Sequence, residues 1–318
     1  MRSGLRRSLR FAGIGLAVLA AACAAFLAWS YVRSGRVREA PAPRLAIVRD
    51  SAAVARGRYL VHGPGHCADC HARPGTAAET EPPLSGGYVL PTFLGGIIAP
   101  NITPDSATGI GAVPDSLLAR FFRSGINHRG RVGLPVMRYD SLSDGDLAAI
   151  LAYLRSRPPV THEVPPSRYN PLGWITLAWF LEPFPPGAPG PEGPPPEPAA
   201  AWGGYLAKSV ATCAACHTAR NMKTGDFTGP PFAGGLVFTK AGDPGQVLVS
   251  PNLTPDPRTG ILAGWTREQF IARFRAGPLR PWSPMPWAPF SRMTDLDLES
   301  LYLYLRGLEP IGRDNRPP

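Results

Sequence analysis

"GHCADCHARP" (Gly65–Pro74) and "ATCAACHTAR" (Ala211–Arg220) each place two cysteines three positions apart, with a histidine directly after the second. The two cysteine pairs start 146 positions apart, and the likeness extends to either side. "ARGRYLVHGPGHCADCHARPG" is answered by "AWGGYLAKSVATCAACHTARN", and "PPLSGGYVL" (82–90) by "PPFAGGLVF" (230–238). "NITPDSATGI" (101–110) is answered by "NLTPDPRTGI" (252–261), identical at seven of ten positions. "LPVMRYDSLSDGDLAAILAYLRS" is finally answered by "SPMPWAPFSRMTDLDLESLYLYLRG". A likeness of this length is a repeated domain and not a motif that recurred alone.

Local signals predict the structure of each copy. A helix carrying Tyr59 and Leu60, or Tyr205 and Leu206, leads into the cysteine–histidine turn. The Gly/Pro-rich segment around "NxTPD" reads as mostly loop. "PDSLLARFFRSG" and "TREQFIARFRAG" read as amphipathic helices that stop at Gly125 and Gly277, with Thr266 and Gln269 fitting a capping box. Each copy closes with a helix capped by Ser143 or Thr294. Its apolar face is Leu147, Ile150, Leu151 and Leu154, or Leu298, Leu301, Tyr302 and Leu305.

Cysteines at i and i+3 lie about one turn apart on one helix face. That spacing suits two thioethers to the vinyl groups along one haem edge, with the histidine at i+4 reaching the iron. Zinc would need both pairs to converge on one tetrahedron, and they sit in separate repeats. A thioredoxin-like pair needs a strand–helix–strand setting, which neither has. Both motifs therefore read as haem c sites: Cys67, Cys70 and His71 for one, Cys213, Cys216 and His217 for the other, giving two covalently bound haem c groups.

The repeat alignment places Met137 ("LPVMRY") opposite Met285 ("SPMPW"), 66 and 68 residues after the histidines. Both lie in a proline-containing loop before the last helix and read as the sixth iron ligands, haem 1 and haem 2 respectively. Met/His ligation raises the potential and suits an electron carrier. Met293, eight residues past Met285, reads as core. His128 and His162 compete with Met137 but have no histidine counterparts in the second copy. His62 and His66 lie too close to Cys67 to reach the far face and read as solvated or bonded to backbone. The same geometric objection applies to Met222.

Of 318 residues only 18% are charged, while 39 prolines and 35 glycines predict much irregular backbone. The net charge of +10 invites a nucleic-acid reading, but residues 1–36 supply six of those charges from Arg2, Arg6, Arg7, Arg10, Arg33 and Arg36. The rest carries no basic stripe. The arginines instead flank "FAGIGLAVLAAACAAFLAWSYV" (Phe11–Val32), 22 residues without a charge and long enough for the roughly 30 Å hydrocarbon layer. The positive-inside rule puts residues 1–10 in the cytoplasm and the remainder on the periplasmic side of the inner membrane. A cleaved signal peptide is the competing reading; the run continues through Phe26, Leu27 and Trp29, which favours a retained anchor. Cys23, inside the run, reads as a small apolar helix residue.

The expected division is a basic N-terminus (1–10), an anchor (11–32), a linker (33–48), a first domain (49–158), a Pro-rich connector (159–199), a second domain (200–311) and a tail (312–318). Within the connector, "LGWITLAWFL" (Leu172–Leu181) is too short to span a bilayer. It reads as a segment packed across the two domains, with an interfacial helix or partner-docking patch as the alternative.

The paired "CxxCH", "GGY", "PNxTPDxxTGI", "PMPW" and "MTDLDLESLYLYLRG" elements resemble the cytochrome c subunits of membrane-bound alcohol, aldehyde and gluconate dehydrogenases. That family commonly carries three haem domains and a C-terminal amphipathic anchor; two domains and an N-terminal helix are read here. The resemblance implies class I cytochrome c-like domains; with the repeat and the apolar run, the expected fold is a mainly α chain of two tandem class I cytochrome c-like domains preceded by one transmembrane helix. It implies single-electron transfer from a periplasmic dehydrogenase subunit to quinone or a terminal oxidase, with no bond chemistry on this chain and no nucleic-acid partner. Asn101 and Asn252 lie in the shared loop, with haem-propionate contact and loop shaping as their two readings. A dihaem peroxidase or thiosulfate-oxidising cytochrome is the enzymatic alternative and requires one haem with an open distal face.

Overall fold

A computed structural model describes residues 2–76, 79–185, 187–221, 226–240 and 242–315; Met222 and the tail residues 316–318 lie outside them. The described chain is mainly helical. Helix α1 (Arg2–Ser34) is unbroken, and its segment Leu9–Ser34 has a mean hydropathy of 2.3. From Leu9 to Val32 nearly all of its side chains are exposed, Cys23 among them. A helix that is apolar all round and unburied within its own chain is suited to a lipid environment.

The first lobe is built from α2 (Ser51–His62), a short α3 (Ala68–His71), α4 (Asp115–Ser124) and α5 (Asp144–Ser156). Asp50 caps α2 by accepting from the Ala53 amide, and Ser143 caps α5 by accepting from the Asp146 amide at 3.0 Å. Helix α4 ends at Gly125, whose φ of +72° is left-handed. Helices α2 and α5 pack closely because Gly57 has no side chain: a Cβ there would lie 1.9 Å from the Ala149 carbonyl oxygen. The predicted face of α5 is the buried one, with Leu147, Ile150, Leu151 and Leu154 each at most 6% exposed.

The second lobe repeats this plan. Helix α7 (Ala200–Tyr205) with a π-helical continuation (Leu206–Val210), α8 (Cys213–His217), α9 (Arg267–Arg275), α10 (Trp287–Phe290) and α11 (Asp295–Arg306) follow in order. Thr266 and Gln269 form the expected capping box on α9. Gly203 admits α11 as Gly57 admits α5, with a Cβ there 1.9 Å from the Ser300 carbonyl oxygen.

Not all of the Gly/Pro-rich segments are loop. Strands β1 (Val89–Thr92) and β2 (Gly95–Ile98) form an antiparallel hairpin, and β3 (Arg168–Tyr169) pairs with Gly95 and Gly96. Gly95, at φ +127°, is required because a Cβ would meet the Arg168 carbonyl oxygen at 2.2 Å. In the second lobe β4 (Val237–Lys240) pairs with β5 (Asp243–Val249).

Buried side chains of both lobes join in one continuous cluster, from Leu60 and Val61 through Leu147 and Leu151 to Leu206, Met293 and Leu298. Met293, 1% exposed, is core as expected. Two tyrosines cross between the lobes in matched fashion. The Tyr59 hydroxyl donates to Asp297 at the start of α11 and accepts from the Thr294 amide at 3.1 Å. The Tyr205 hydroxyl donates to Asp146 at the start of α5 (2.8 Å) and accepts from the Ser143 amide (3.1 Å). Arg56 makes a two-pronged bond to Asp146, while its counterpart Trp202 donates to Asp297 at 2.6 Å.

The connector departs from the first expectation. Residues 172–181 form α6 (Pro171–Ile175) and a π-helical turn (Thr176–Phe180) that pack on α1, not across the two lobes. Trp174 meets Tyr31 edge-to-face, and Trp179 stacks on Phe26 and meets Trp29 edge-to-face. The segment after α1 is likewise no free linker, since the Arg38 amide bonds the Gly130 carbonyl at 2.8 Å and Leu45 and Ile47 lie on the core.

Candidate functional site

Each CxxCH turn is held by two loops whose sequences now have physical reasons. In "NITPD", Asn101 Oδ1 accepts from the amide and hydroxyl of Thr103, while its Nδ2 donates to Thr108 and the Val160 carbonyl (2.8 Å). Asp105 accepts from the amide and hydroxyl of Thr108, both at 2.7 Å. Gly109 is glycine because a Cβ would lie 2.2 Å from the Thr103 carbonyl oxygen. In the second lobe Asn252, Thr254, Asp256, Thr259 and Gly260 make the same set of contacts, with Ile311 in place of Val160. Asn101 and Asn252 are 3% and 1% exposed with their side-chain atoms engaged, so they shape the loop.

What this loop delivers is a carbonyl. Pro100, just before Asn101, accepts a bond from His71 Nδ1 at 3.0 Å, and Pro251, just before Asn252, accepts from His217 Nδ1 at 3.1 Å. The glycine pairs close the other side: the Gly86 amide bonds the His71 carbonyl (2.9 Å) and the Gly234 amide the His217 carbonyl (2.7 Å). Both glycines have positive φ, and a Cβ on either would meet the proline-loop backbone at 2.5 Å or less. A histidine whose Nδ1–H is tied to a carbonyl keeps Nε2 as the lone-pair nitrogen, the arrangement metal-bound imidazoles use. Burial holds both imidazoles below the ordinary histidine range, against the opposing pull of the proline carbonyls, so both are neutral at pH 7.

The four motif cysteines are free thiols. Cys67 and Cys213 are half-buried on the core, while Cys70 and Cys216 are exposed. Burial pushes Cys67 and Cys213 up to about 12 and raises Cys70 and Cys216 as well. Redox CxxC pairs have depressed thiol values, so this is the wrong electrostatics for disulfide exchange. Among the described residues no three His, Cys, Asp or Glu side chains converge as a metal site, which leaves no protein-only zinc tetrahedron. A pair of cysteines on one turn beside an oriented, neutral imidazole fits covalent haem with an axial nitrogen ligand.

Met137 and Met285 are half-buried in the loops before α5 and α11 and pack on the cluster that Cys67 and Cys213 also touch. Two residues after Met137, the Tyr139 hydroxyl donates to the Gly65 carbonyl at 2.8 Å and ties this loop to the first CxxCH turn. In the second lobe Ser283 accepts from the Met285 amide and from Trp287 Nε1, and Arg273 lies 3.9 Å above the Trp287 ring. The rival histidines go elsewhere. His162 Nδ1 bonds the Ser85 carbonyl at 2.8 Å, and His128 is exposed. His62 is not solvated as its sequence position suggested; it is 6% exposed with Nε2 on the Tyr153 hydroxyl (2.8 Å). His66 stacks edge-on against Phe290 of the other lobe. Sequence reasoning passed over Pro100 and Pro251 because their working atom is a backbone carbonyl, and over Asp146 and Asp297 because the partner of each is in the other copy.

No family model matches the chain. It is 29% identical over 285 residues to the cytochrome c subunit of alcohol dehydrogenase (quinone) from Gluconacetobacter polyoxogenes, covering 82% of this chain and 57% of that one. The chain is similar to dehydrogenase cytochrome c subunits. It is also 35% identical over 201 residues to a nicotinate dehydrogenase subunit from Pseudomonas putida, 59% of this chain but 16% of the relative. A third likeness is to a dihaem c-type cytochrome of Cereibacter sphaeroides, 32% over 172 residues, 49% of this chain and 54% of that one. The matches thus span little more than half the length of these curated relatives, or less.

Proposed function

We propose that the chain is a membrane-anchored dihaem c-type cytochrome that passes single electrons from a periplasmic dehydrogenase to quinone or a terminal oxidase. The observation that carries this reading is the duplicated histidine turn, each imidazole locked through Nδ1 to a proline carbonyl beside two cysteines one turn apart. Cys67 and Cys70 would hold one haem c and Cys213 and Cys216 the other, with His71 and Met137, and His217 and Met285, as axial ligands. The group supplies a one-electron iron couple when bound. The domains are 49–158 and 200–311. Relatives named as cytochrome c subunits of alcohol, gluconate and fructose dehydrogenases support the carrier role, and one named as dihaem supports the count. Helix α1, with its first residues cytoplasmic, supports an inner-membrane anchor.

The protein's own contribution is to hold ligands and fix geometry. Burial keeps each histidine neutral and the loop networks orient it, and the shared core with crossed tyrosines holds the two lobes in one arrangement. A carrier needs such rigidity, because electron transfer favours sites that reorganise little. The test is a spectroelectrochemical titration of the haem-loaded protein. Two low-spin couples with methionine ligation and no peroxide turnover are expected; a high-spin haem with peroxide turnover would favour the peroxidase reading instead.

A further inference from the structure

The end of α1 and the connector helix form a structure whose chemistry neither the haem sites nor the lobe core uses. Ser30, on a helix otherwise almost wholly exposed, is fully buried and accepts from Trp179 Nε1 at 3.1 Å. Arg33 lies 4.4 Å from the Trp179 ring centroid and donates to the Ala178 carbonyl at 3.1 Å. Arg36 and Arg38 both pair with Glu182. The connector is in turn fixed to the first lobe. Asn170 bonds the Leu94 and Phe93 carbonyls, and the Phe184 amide bonds the Ser124 carbonyl at 2.9 Å. Each of these tethers is to the first lobe.

Around this joint large apolar side chains remain outside. Phe180 is 75% exposed, Trp29 58%, Tyr31 59%, Leu172 50% and Phe93 49%. They continue directly from the membrane-length apolar surface of α1, and three arginines sit beside them. Aromatic rings with arginines at the end of an apolar span are the composition of a bilayer's headgroup level, and a short apolar helix set beside that end suits an interfacial position.

We propose that residues 171–182 and the end of α1 form an elbow seated in the lipid headgroup layer, which holds the Cys67/His71 lobe, not the Cys213/His217 lobe, against the membrane. The occupant of the exposed apolar surface is lipid, by continuity with α1. The inference rests on α1 being a retained anchor. It also bears on that choice, because cleavage within Ala20–Ala25 would remove α1 as the span from which the elbow's aromatic surface continues.

The experiment uses the full haem-loaded chain with Cys23→Ala, so that thioether formation leaves a single introduced cysteine for a nitroxide label. Labels at Phe180→Cys, Phe93→Cys and Leu279→Cys are compared in vesicles of phosphatidylcholine and phosphatidylglycerol; Leu279 is 83% exposed in the second lobe. Oxygen accessibility relative to a water-soluble nickel chelate should be severalfold higher at 180 and 93 than at 279. Equal, water-like values at 180 and 279 would overturn the elbow, and lipid-like values at 279 with water-like values at 93 would reverse the choice of lobe. The mass of the membrane-extracted chain separates the two readings. Loss of α1 would overturn the anchor and the elbow together, while intact α1 with a water-exposed 180 would overturn the elbow alone.

Discussion

At the level of single residues, the histidine turns work because a backbone oxygen decides which imidazole nitrogen is free. Pro100 and Pro251 spend their carbonyls on Nδ1, so Nε2 of His71 and His217 is available to iron. As the proposed sixth ligands, Met137 and Met285 would tune what the iron does. Met285→Ala should lower the second haem's potential by something on the order of 0.1 V, within the ~0.8 V range that axial ligands span. It should also admit added imidazole, and an unchanged potential and spectrum would place the ligand elsewhere. His62 gives a pH test. Burial, opposed by Glu81 and reinforced by Arg292, Arg157 and Arg58, lowers it to about 4 from 6.5. Between those values the unfolded chain binds the extra proton, so stability is full above pH 6.5 and falls as pH drops towards 4, by about 3 kcal/mol at most. His66 is lowered to the same value by burial. His62→Gln should therefore reduce the acid-induced loss of stability measured by denaturation at pH 7 and pH 4.5.

At the level of elements, the two glycines beneath the terminal helices set the geometry. Gly57→Ala or Gly203→Ala drives a methyl into a carbonyl on α5 or α11, and each should cost about 3 kcal/mol or more by denaturant unfolding. Thr266→Ala removes a complete capping box and should cost only about 1 kcal/mol. Elements such as α4, α5, α9 and α11 were readable because caps, period and stops agree: Ser143, Thr266 and Thr294 start them, and Gly125 with its left-handed φ stops α4. The hairpins were harder. "YVLPTFLGGII" carries β-branched residues but also Pro91 and two glycines, and pairing through β3 comes from Tyr169, over 70 positions away. The placement of 172–181 was undecidable from hydropathy, which marks a segment as apolar without naming the surface that covers it.

At the level of the molecule, the duplication did not produce two beads on a string. Each copy sends its tyrosine into the helix cap of the other, and the two aspartates that receive them are at most 3% exposed. Repeat alignment revealed Tyr59 and Tyr205 as equivalents, yet equivalence alone does not say that they cross. Burial and the neighbouring carboxylates raise both phenols well above the ordinary tyrosine range, so they remain donors at any pH the protein meets. A double-mutant cycle of Tyr59→Phe with Asp297→Asn should return a coupling of about 1–3 kcal/mol by denaturant unfolding. Zero coupling would mean that the Tyr59–Asp297 bond adds nothing to holding the lobes together.

The proposed function rests on two independent haem-binding turns, and intact mass after expression in a compartment that attaches haem c reads them directly. The wild-type chain should carry two haems, and Cys67→Ser/Cys70→Ser and Cys213→Ser/Cys216→Ser should each carry one. A wild-type mass without added haem, or the same mass gain in the wild type and either variant, would contradict the account.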